Sequence, residues 1–282
     1  MRIILFISKD LAGNLAFNEL YREIGTSIKA VYFSTAVGKK DRKVPEQQLL
    51  EYFEAEHPFE AVFPHIQNSA FIDIDRIETR TGIPCREAPA MDDRFADELK
   101  AWGADLFISA RFGKLFKGEF LTIPPMGILN LHSAILPQYR GILGTLHSLI
   151  DGLNRIGCTL HYIPDEGIDN GAILDIAYLD VNPQRSLFWH VWNLYPGGAR
   201  AIVKAVRQLE NGFAPHASAQ NTEQSRYFSL PQLGHFVQLQ DKGFDLINKK
   251  DYIAYYTTFV DPEAAAMVEA TLSAAQTKHA LP

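Results

Sequence analysis

The sequence predicts an α/β fold: a Rossmann-like, mostly parallel sheet flanked by helices, with a small C-terminal extension. Three observations predict it. The first is the order at the N-terminus. An apolar run, Ile3 to Ser8, leads through a loop at Lys9, Asp10 and Gly13 into a helix with Leu15, Leu20 and Ile24 on one face, and then into a second strand, Ser27 to Phe33. Strand, loop, helix and strand in that order are the mark of parallel strands joined by a covering helix. The second is the return of short apolar strands between turn residues further along the chain. The third is a change of texture after Gly212, where a polar stretch and then an aromatic-rich one replace the strand-and-helix alternation.

The remaining elements follow in order. Residues 37 to 64 are charged and irregular, with a helix expected from Pro45 to Glu56. Phe71 to Arg80 reads as helix and Ile83 to Glu87 as a short strand. Asp92 to Trp102 is amphipathic and stops at Gly103. Leu106 to Ile108 and Ile128 to Leu131 are short strands, the latter after the Pro124-Pro125 break. Cys158 to Ile163 and Ala172 to Val181 pair around the turn-rich Pro164-Asp165-Glu166-Gly167. Ser186 to Leu209 is helical, with a break expected near Pro196-Gly197-Gly198. Pro215 to Arg226 is a loop, and Glu263 to Ala275 a small alanine-rich helix. The expected division is residues 1–211 for the main domain and 212–282 for a small C-terminal subdomain that sets specificity or makes an oligomer contact.

Composition narrows the function classes. The chain has 282 residues, 47% hydrophobic and 21% charged, which suits a globular protein with a core of normal size. A net charge of -6 argues against a surface that coats nucleic acid. Ile3 to Ile7 is too short to span a membrane and lacks the long apolar core of a signal peptide. The expectation is a cytoplasmic protein with no membrane and no nucleic-acid partner. Cys85 and Cys158 lie in apolar stretches and read as buried, reduced thiols. Neither they nor His57, His65 and His190 make a metal-ligand pattern, so no metal is expected.

The chemistry gathers in two stretches. Asn130 and His132 are two apart at a strand end, so both side chains face the same side. Asp169 comes from a later loop and is flanked by Gly167 and Gly171, which allow sharp turns. Singly, these are a strand-end amide, a partly buried histidine and a turn residue. Jointly, they can serve acyl transfer to an amine. The amide donates to a developing oxyanion. The imidazole, which titrates near neutrality, moves a proton. The carboxylate orients the imidazole and favours its charged form.

Three blocks carry a resemblance: Asn130-Leu131-His132-Ser133-Ala134-Ile135-Leu136-Pro137-Gln138-Tyr139-Arg140-Gly141; Gly157-Cys158-Thr159-Leu160-His161 followed by Asp165-Glu166-Gly167-Ile168-Asp169-Asn170-Gly171; and Ser109-Ala110-Arg111-Phe112-Gly113-Lys114-Leu115-Phe116. Over about residues 1 to 210 the chain resembles the formyltransferases that use 10-formyltetrahydrofolate, among them enzymes acting on glycinamide ribonucleotide, methionyl-tRNA and amino sugars. The resemblance implies Asn130, His132 and Asp169 as the catalytic trio. It implies 10-formyltetrahydrofolate as co-substrate, with the pterin held by Arg111, Phe112, Gly113, Lys114 and Leu115 and covered by Asp165, Glu166, Gly167 and Ile168. Expected acceptor contacts are Gly13, Asn14, Arg140 and Gly141, with Arg140 either meeting an anionic group or bracing a loop carbonyl. Two departures stand out. Ser133 and Ala134 replace the family's proline and serine. Ala12-Gly13-Asn14 replaces the glycine-serine-asparagine phosphate cradle of the purine-pathway enzyme, although amides at that helix start still suit an anion.

Other residues read as structural. His161 lies inside a strand, His147 on a helix surface, and Trp189, Trp192 and Tyr195 at core spacing. Tyr227, Phe228, Tyr252, Tyr255 and Tyr256 form a C-terminal core, or else flank the acceptor or build a homodimer contact. The expected acceptor is a small-molecule amine: first a nucleotide-linked amino sugar, second a hydroxylated ornithine. The tail after Gly212 does not look like the barrel that accompanies transfer-RNA formylation. A formyl-folate hydrolase ranks lower, because such hydrolases carry a regulatory domain ahead of a first strand that here begins at Ile3. A dinucleotide-binding dehydrogenase ranks lowest, because no Gly-x-Gly-x-x-Gly follows that strand.

Overall fold

All six residues of β1 (Ile3–Ser8) are buried, so neither face of the strand meets water. That is the condition of a strand inside a sheet covered on both sides. The two-residue period sorts its side chains: Ile3, Leu5 and Ile7 enter one apolar cluster, Ile4 and Phe6 the other. The helix α1 (Leu11–Ile24) begins at Asp10, whose Oδ1 accepts from the Gly13 N–H at 2.7 Å, a side-chain cap on the first turn. The strand β2 (Ile28–Ser34) then runs parallel to β1, with Phe6 opposite Tyr32.

The computed structural model describes residues 1–35 and 43–274. After β2 come α2 (Pro45–Glu51), α3 (Ile77–Thr81), β3 (Cys85–Glu87), α4 (Asp93–Ala101), β4 (Leu106–Ala110), β5 (Ile128–His132), β6 (Arg140–Gly141), α5 (Gly144–Ile150), β7 (Arg155–Tyr162), β8 (Ile173–Asp180), α6 (Leu187–Glu210), β9 (Tyr227–Phe228), α7 (Leu233–Asp241), α8 (Lys249–Tyr255) and α9 (Pro262–Ala274). Among the described residues, seven strands form one sheet in the order β3-β2-β1-β4-β5-β7-β8. Pairings from β3 to β5 are parallel, and β7 and β8 are added antiparallel. The expected α/β architecture is therefore present. Residues of α1 and α6 cover one face, and Phe95, Ala96 and Leu99 of α4 cover the other.

The strand order creates a crevice. From β1 the chain moves outward to β2 and β3, and β4 then returns to the opposite side of β1. The loops leaving β1 and β4 at their carboxyl ends diverge, and in open α/β sheets ligands bind at such a switch point. Tyr252, Tyr255 and Tyr256 join the same apolar core as Ile3 and Leu5, and the Tyr255 hydroxyl donates to the Leu11 carbonyl at 2.7 Å. No helix among the described residues is long and apolar enough to cross a membrane.

Four local expectations change. Phe71 to Arg80 is not one helix; α3 starts only at Ile77. The Asn18 and Asn14 side chains take the Ile72 and Ile74 N–H groups at 2.8 Å each, and both amides donate to the Ile72 carbonyl. These tertiary bonds hold residues 71–74 out of the helical ladder. The break near Pro196 is absent, and α6 runs on to Glu210. A Cβ on Gly198 would lie 2.5 Å from Leu131 Cδ2 and 2.9 Å from Cys158 Sγ, so that glycine lets the helix lie against the sheet. Cys85 is half-buried, while Cys158 is buried as expected. His147 is buried, its ring stacked 3.9 Å from Phe228. Of the expected helix at 263–275, Ala275 lies outside the described residues, as does Val37 at the start of the irregular stretch.

Candidate active site

Register brings the site together. Asn130 on β5 lies level with Ser109 on β4 and with His161 on β7, and His132 lies opposite Thr159. After β7 the chain folds back as the loop 163–172 and sets Asp169 over these strand ends, with a left-handed φ of +52°. Asp169 Oδ2 is 3.5 Å from His132 Nδ1 and accepts from the Gly141 N–H at 2.9 Å. Asp169 Oδ1 is 3.5 Å from Asn130 Nδ2 and 3.5 Å from His161 Nε2.

Carbonyl partners fix the protons. His132 Nε2 faces the Tyr139 carbonyl at 2.6 Å. A carbonyl only accepts, so Nε2 carries hydrogen. In the neutral ring Nδ1 is then the basic nitrogen, and it faces the Asp169 carboxylate. A proton arriving at Nδ1 stands 3.5 Å from the Asp169 carboxylate oxygen. His161 Nδ1 likewise faces a carbonyl, that of Tyr162, at 2.8 Å. Its Nε2 is therefore the acceptor for Asn130 Nδ2 at 3.1 Å. That bond orients the Asn130 amide, and Nδ2 also donates, at 3.5 Å, to Asp169 Oδ1. Burial pushes the Asp169 carboxyl up, but His132 and the Gly141 amide outweigh burial and hold it well below the usual carboxylate range.

The loop bearing Asp169 is clamped from three sides. Arg140 donates to the Ile168 carbonyl through Nε at 2.8 Å and Nη2 at 2.5 Å. Gln220 Nε2 donates to the Asp169 and Gly171 carbonyls at 3.0 and 2.7 Å. A Cβ on Gly171 would sit 1.9 Å from the Tyr162 carbonyl oxygen, so only glycine fits. Gly141 has φ +95°, and its short strand β6 pairs with β9, placing Arg140 opposite Tyr227.

Asn130, His132 and Asp169 line one cavity of about 450 Å³. Phe112, Gly113, Lys114 and Leu115 line it too, as do Asp165, Glu166, Gly167 and Ile168. Leu115 is half exposed there. Gly113 N–H donates to Ser34 Oγ at 2.8 Å, and Lys114 Nζ to the Pro89 carbonyl at 2.7 Å and to that of Ala88. Asp165 Oδ1 accepts from the Gly167 N–H at 2.7 Å and from Asn170 Nδ2 at 2.9 Å, which shapes the loop. The two runs expected to surround a pterin thus lie on one cavity.

The other expected contacts are placed differently. Gly13 N–H is taken by Asp10, and a Cβ on Gly13 would lie 2.3 Å from the Ser8 carbonyl oxygen. Asn14 is fully buried, with its amide spent on Ile72 and Ile74. Neither residue lines the cavity, and the Asp10 carboxylate sits at the helix start where an anion was expected. Arg140 braces the Ile168 carbonyl, the second of its two expected roles, while Gly141 reaches the cavity through its backbone. Arg111 lines the cavity, but its side chain turns to Asp10 (Nε to Oδ2, 2.9 Å) and Glu54 (Nη2 to Oε2, 2.7 Å). Asp10, Glu54 and Tyr195 on this wall were not foreseen as site residues, and they lie 44 to 185 positions apart in the chain. Only Asp10, a helix-capping residue type directly before α1, carried a local signal.

Known proteins extend these findings. The model of a family described as formyl transferase matches residues 1–188. The methionyl-tRNA formyltransferase of Chlamydia caviae is 31% identical over 159 residues, 56% of this chain and 47% of that protein. The methionyl-tRNA formyltransferase of Syntrophus aciditrophicus is 35% identical over 134 residues, 47% and 43% of the two chains. The chain thus spans less than half the length of these curated relatives. Among solved structures, an N-formyltransferase from Helicobacter canadensis, in complex with folinic acid and dTDP-3-aminofucose, aligns with a TM-score of 0.56 at 18% identity, covering 86% of this chain and 81% of that one. Phosphoribosylglycinamide formyltransferase from Anaplasma phagocytophilum aligns with a TM-score of 0.56 at 18% identity, covering 82% and 99%. At these identities the two structures show a shared fold.

Proposed function

We propose a function from the premise that this chain belongs to the formyl transferase family: it moves the formyl group of 10-formyltetrahydrofolate onto the amine of a small acceptor. One observation carries the reading. An amide donor, an imidazole and a carboxylate from three separate segments converge on one cavity. Folinic acid in the Helicobacter canadensis enzyme supports a folate as formyl donor.

The chemistry follows from the atoms. The neutral acceptor amine attacks the formyl carbon, and the C=O π pair moves onto oxygen. The Asn130 N–H that makes the long, 3.5 Å bond to Asp169 exchanges that partner for the oxyanion, while His161 keeps the amide oriented. Such a donor is worth about 2.7–4 kcal/mol of transition-state stabilisation. The attacking nitrogen becomes cationic and gives its proton to His132 Nδ1, where Asp169 stabilises the resulting imidazolium. The same proton passes to N10 as the C–N10 bond breaks, so His132 ends neutral and tetrahydrofolate leaves. Asp169 stays ionised throughout, consistent with its depressed pKa.

For the acceptor, a nucleotide-linked amino sugar is the first reading, supported by the dTDP-3-aminofucose of that same neighbour; a hydroxylated ornithine is the second small amine. The relatives named methionyl-tRNA formyltransferase favour a tRNA-linked amine as a further reading, and they weigh against the expectation of no nucleic-acid partner. The test is a panel of amino-sugar nucleotides, hydroxyornithine and methionyl-tRNA with 10-formyltetrahydrofolate. Folate release and formylated product are read together. Product from an amino-sugar nucleotide supports the first reading, and product from methionyl-tRNA alone replaces it. Folate release without any formylated amine makes the chain a hydrolase.

A further inference from the structure

Gln220 lies in the segment that follows α6, outside the residues 1–188 that match the formyl transferase family. Its side chain nevertheless reaches the loop that carries Asp169. Nε2 donates to the Asp169 carbonyl at 3.0 Å and to the Gly171 carbonyl at 2.7 Å. Carbonyls only accept, so the amide nitrogen faces them and spends one N–H on each. The two carbonyls bracket Asn170, and one side chain thus ties the loop on both sides of that residue.

The segment from Ser218 to Phe228 is itself anchored at both ends. Ser218 exchanges two backbone hydrogen bonds with Ile173, the first residue of β8, at 2.8 Å each. At the other end the Arg140 N–H donates to the Arg226 carbonyl at 3.0 Å, and the Ile142 N–H to the Phe228 carbonyl at 2.8 Å. Those two bonds flank Gly141, whose N–H holds Asp169 Oδ2 at 2.9 Å. The same stretch of chain therefore fixes Asp169 twice, its backbone through Gln220 and its carboxylate through the strand that presents Gly141. Asp169 depends on such fixing. Its φ of +52° is left-handed, a conformation that a residue other than glycine keeps where its surroundings impose it. Its carboxylate stands 3.5 Å from His132 Nδ1, a long contact that a small rotation of the loop would break.

We infer that Gln220 is a positioning residue for formyl transfer: through the Asp169 and Gly171 carbonyls it holds Asp169 in the backbone conformation that keeps the carboxylate against His132. Gln220 does not line the cavity, so it acts on the chemistry through Asp169. The inference rests on the formyl-transfer reading for what Asp169 does.

The test uses the full chain and two variants of similar length that lack the N–H donors, Gln220→Met and Gln220→Glu. Turnover is measured at neutral pH with 10-formyltetrahydrofolate and with amino-sugar nucleotides, hydroxyornithine and methionyl-tRNA as acceptors. Both variants are expected to lose about tenfold or more in kcat. KM for 10-formyltetrahydrofolate is expected to stay within about threefold, because Arg140 still holds the Ile168 carbonyl and with it the run that covers the folate. In an Asp169→Asn background, Gln220→Met is expected to cost less than about twofold further, since the group it positions is already gone. A role in the fold alone would multiply the two losses. A second readout needs no acceptor: carbon-13 NMR titration of the Asp169 carboxyl, its signal assigned with Asp169→Asn. That carboxyl, held well below the usual range in the unmodified chain, is expected to rise toward it in Gln220→Met. Unchanged kcat in both variants, losses that multiply, or an Asp169 carboxyl that titrates alike with and without Gln220 would each overturn the positioning role. If no amine is formylated and the carboxyl still rises, the formyl-transfer reading falls and the hold on Asp169 stands. Formyl transfer that is indifferent to Gln220 does the reverse.

Discussion

At the scale of single residues, Glu54 and Asp169 are two buried carboxylates with opposite fates. Asp169 faces the His132 imidazole and an amide N–H and is held ionised; Glu54 shares one guanidinium with Asp10 and is pushed up to about 7. The linkage signs differ accordingly. The depressed Asp169 contributes stability above its ordinary pKa, near 4, and that stability fades as acid protonates it. The raised Glu54 binds its proton more tightly folded than unfolded. Stability therefore falls as pH rises from about 4.5 to about 7 and levels off above. Denaturant titrations of Glu54→Gln beside the unmodified chain check this. The variant should gain relative stability across that window, and a constant gap between the two would show that Glu54 does not titrate there. The trio itself was legible in the sequence, because Asn130 and His132 share a strand and Asp169 sits between glycines. The Glu54–Arg111–Asp10 set was not, because its members meet only through tertiary packing.

At the scale of elements, the loop between β7 and β8 is the part on which the chemistry depends. It carries Asp169, and it is tied to β6 through Arg140 and Gly141 and to the C-terminal segment through Gln220. Gly171 closes the loop against the Tyr162 carbonyl. In Gly171→Ala the added Cβ, placed 1.9 Å from that oxygen, must push the loop away. The expected result is at least tenfold lower formyl turnover with the fold retained by circular dichroism; undiminished turnover would show that Asp169 is not held through this loop. The sequence announced the turn through its glycines but not the clamp, whose parts lie up to 80 residues apart (Arg140 to Gln220). Two helix expectations failed for one reason. Local pattern governs only where tertiary partners do not compete. At residues 71–74 Asn14 and Asn18 outcompeted the helical ladder, and at Gly198 close packing on Leu131 kept α6 continuous past Pro196.

At the scale of the whole molecule, the sheet order explains why a site forms where it does. Short continuous apolar runs, set between turn residues and a covering helix, made the sheet readable from the sequence, and the reversal of strand order between β1 and β4 opens the crevice at their carboxyl ends. Antiparallel β7 then closes one side by setting His161 beside Asn130. The aromatic C-terminal stretch serves both the core and the cavity. Tyr252, Tyr255 and Tyr256 are buried under α1 and α6, while Tyr227, half exposed, stands at the cavity beside β6. The account as a whole depends on His132 carrying the proton between the two nitrogens. The most direct measurement is formyl release from 10-formyltetrahydrofolate by His132→Ala, with an accepting amine, alongside folate binding and melting temperature. Turnover should fall at least a hundredfold while folate binding and melting temperature hold; turnover equal to that of the unmodified chain would contradict the mechanism.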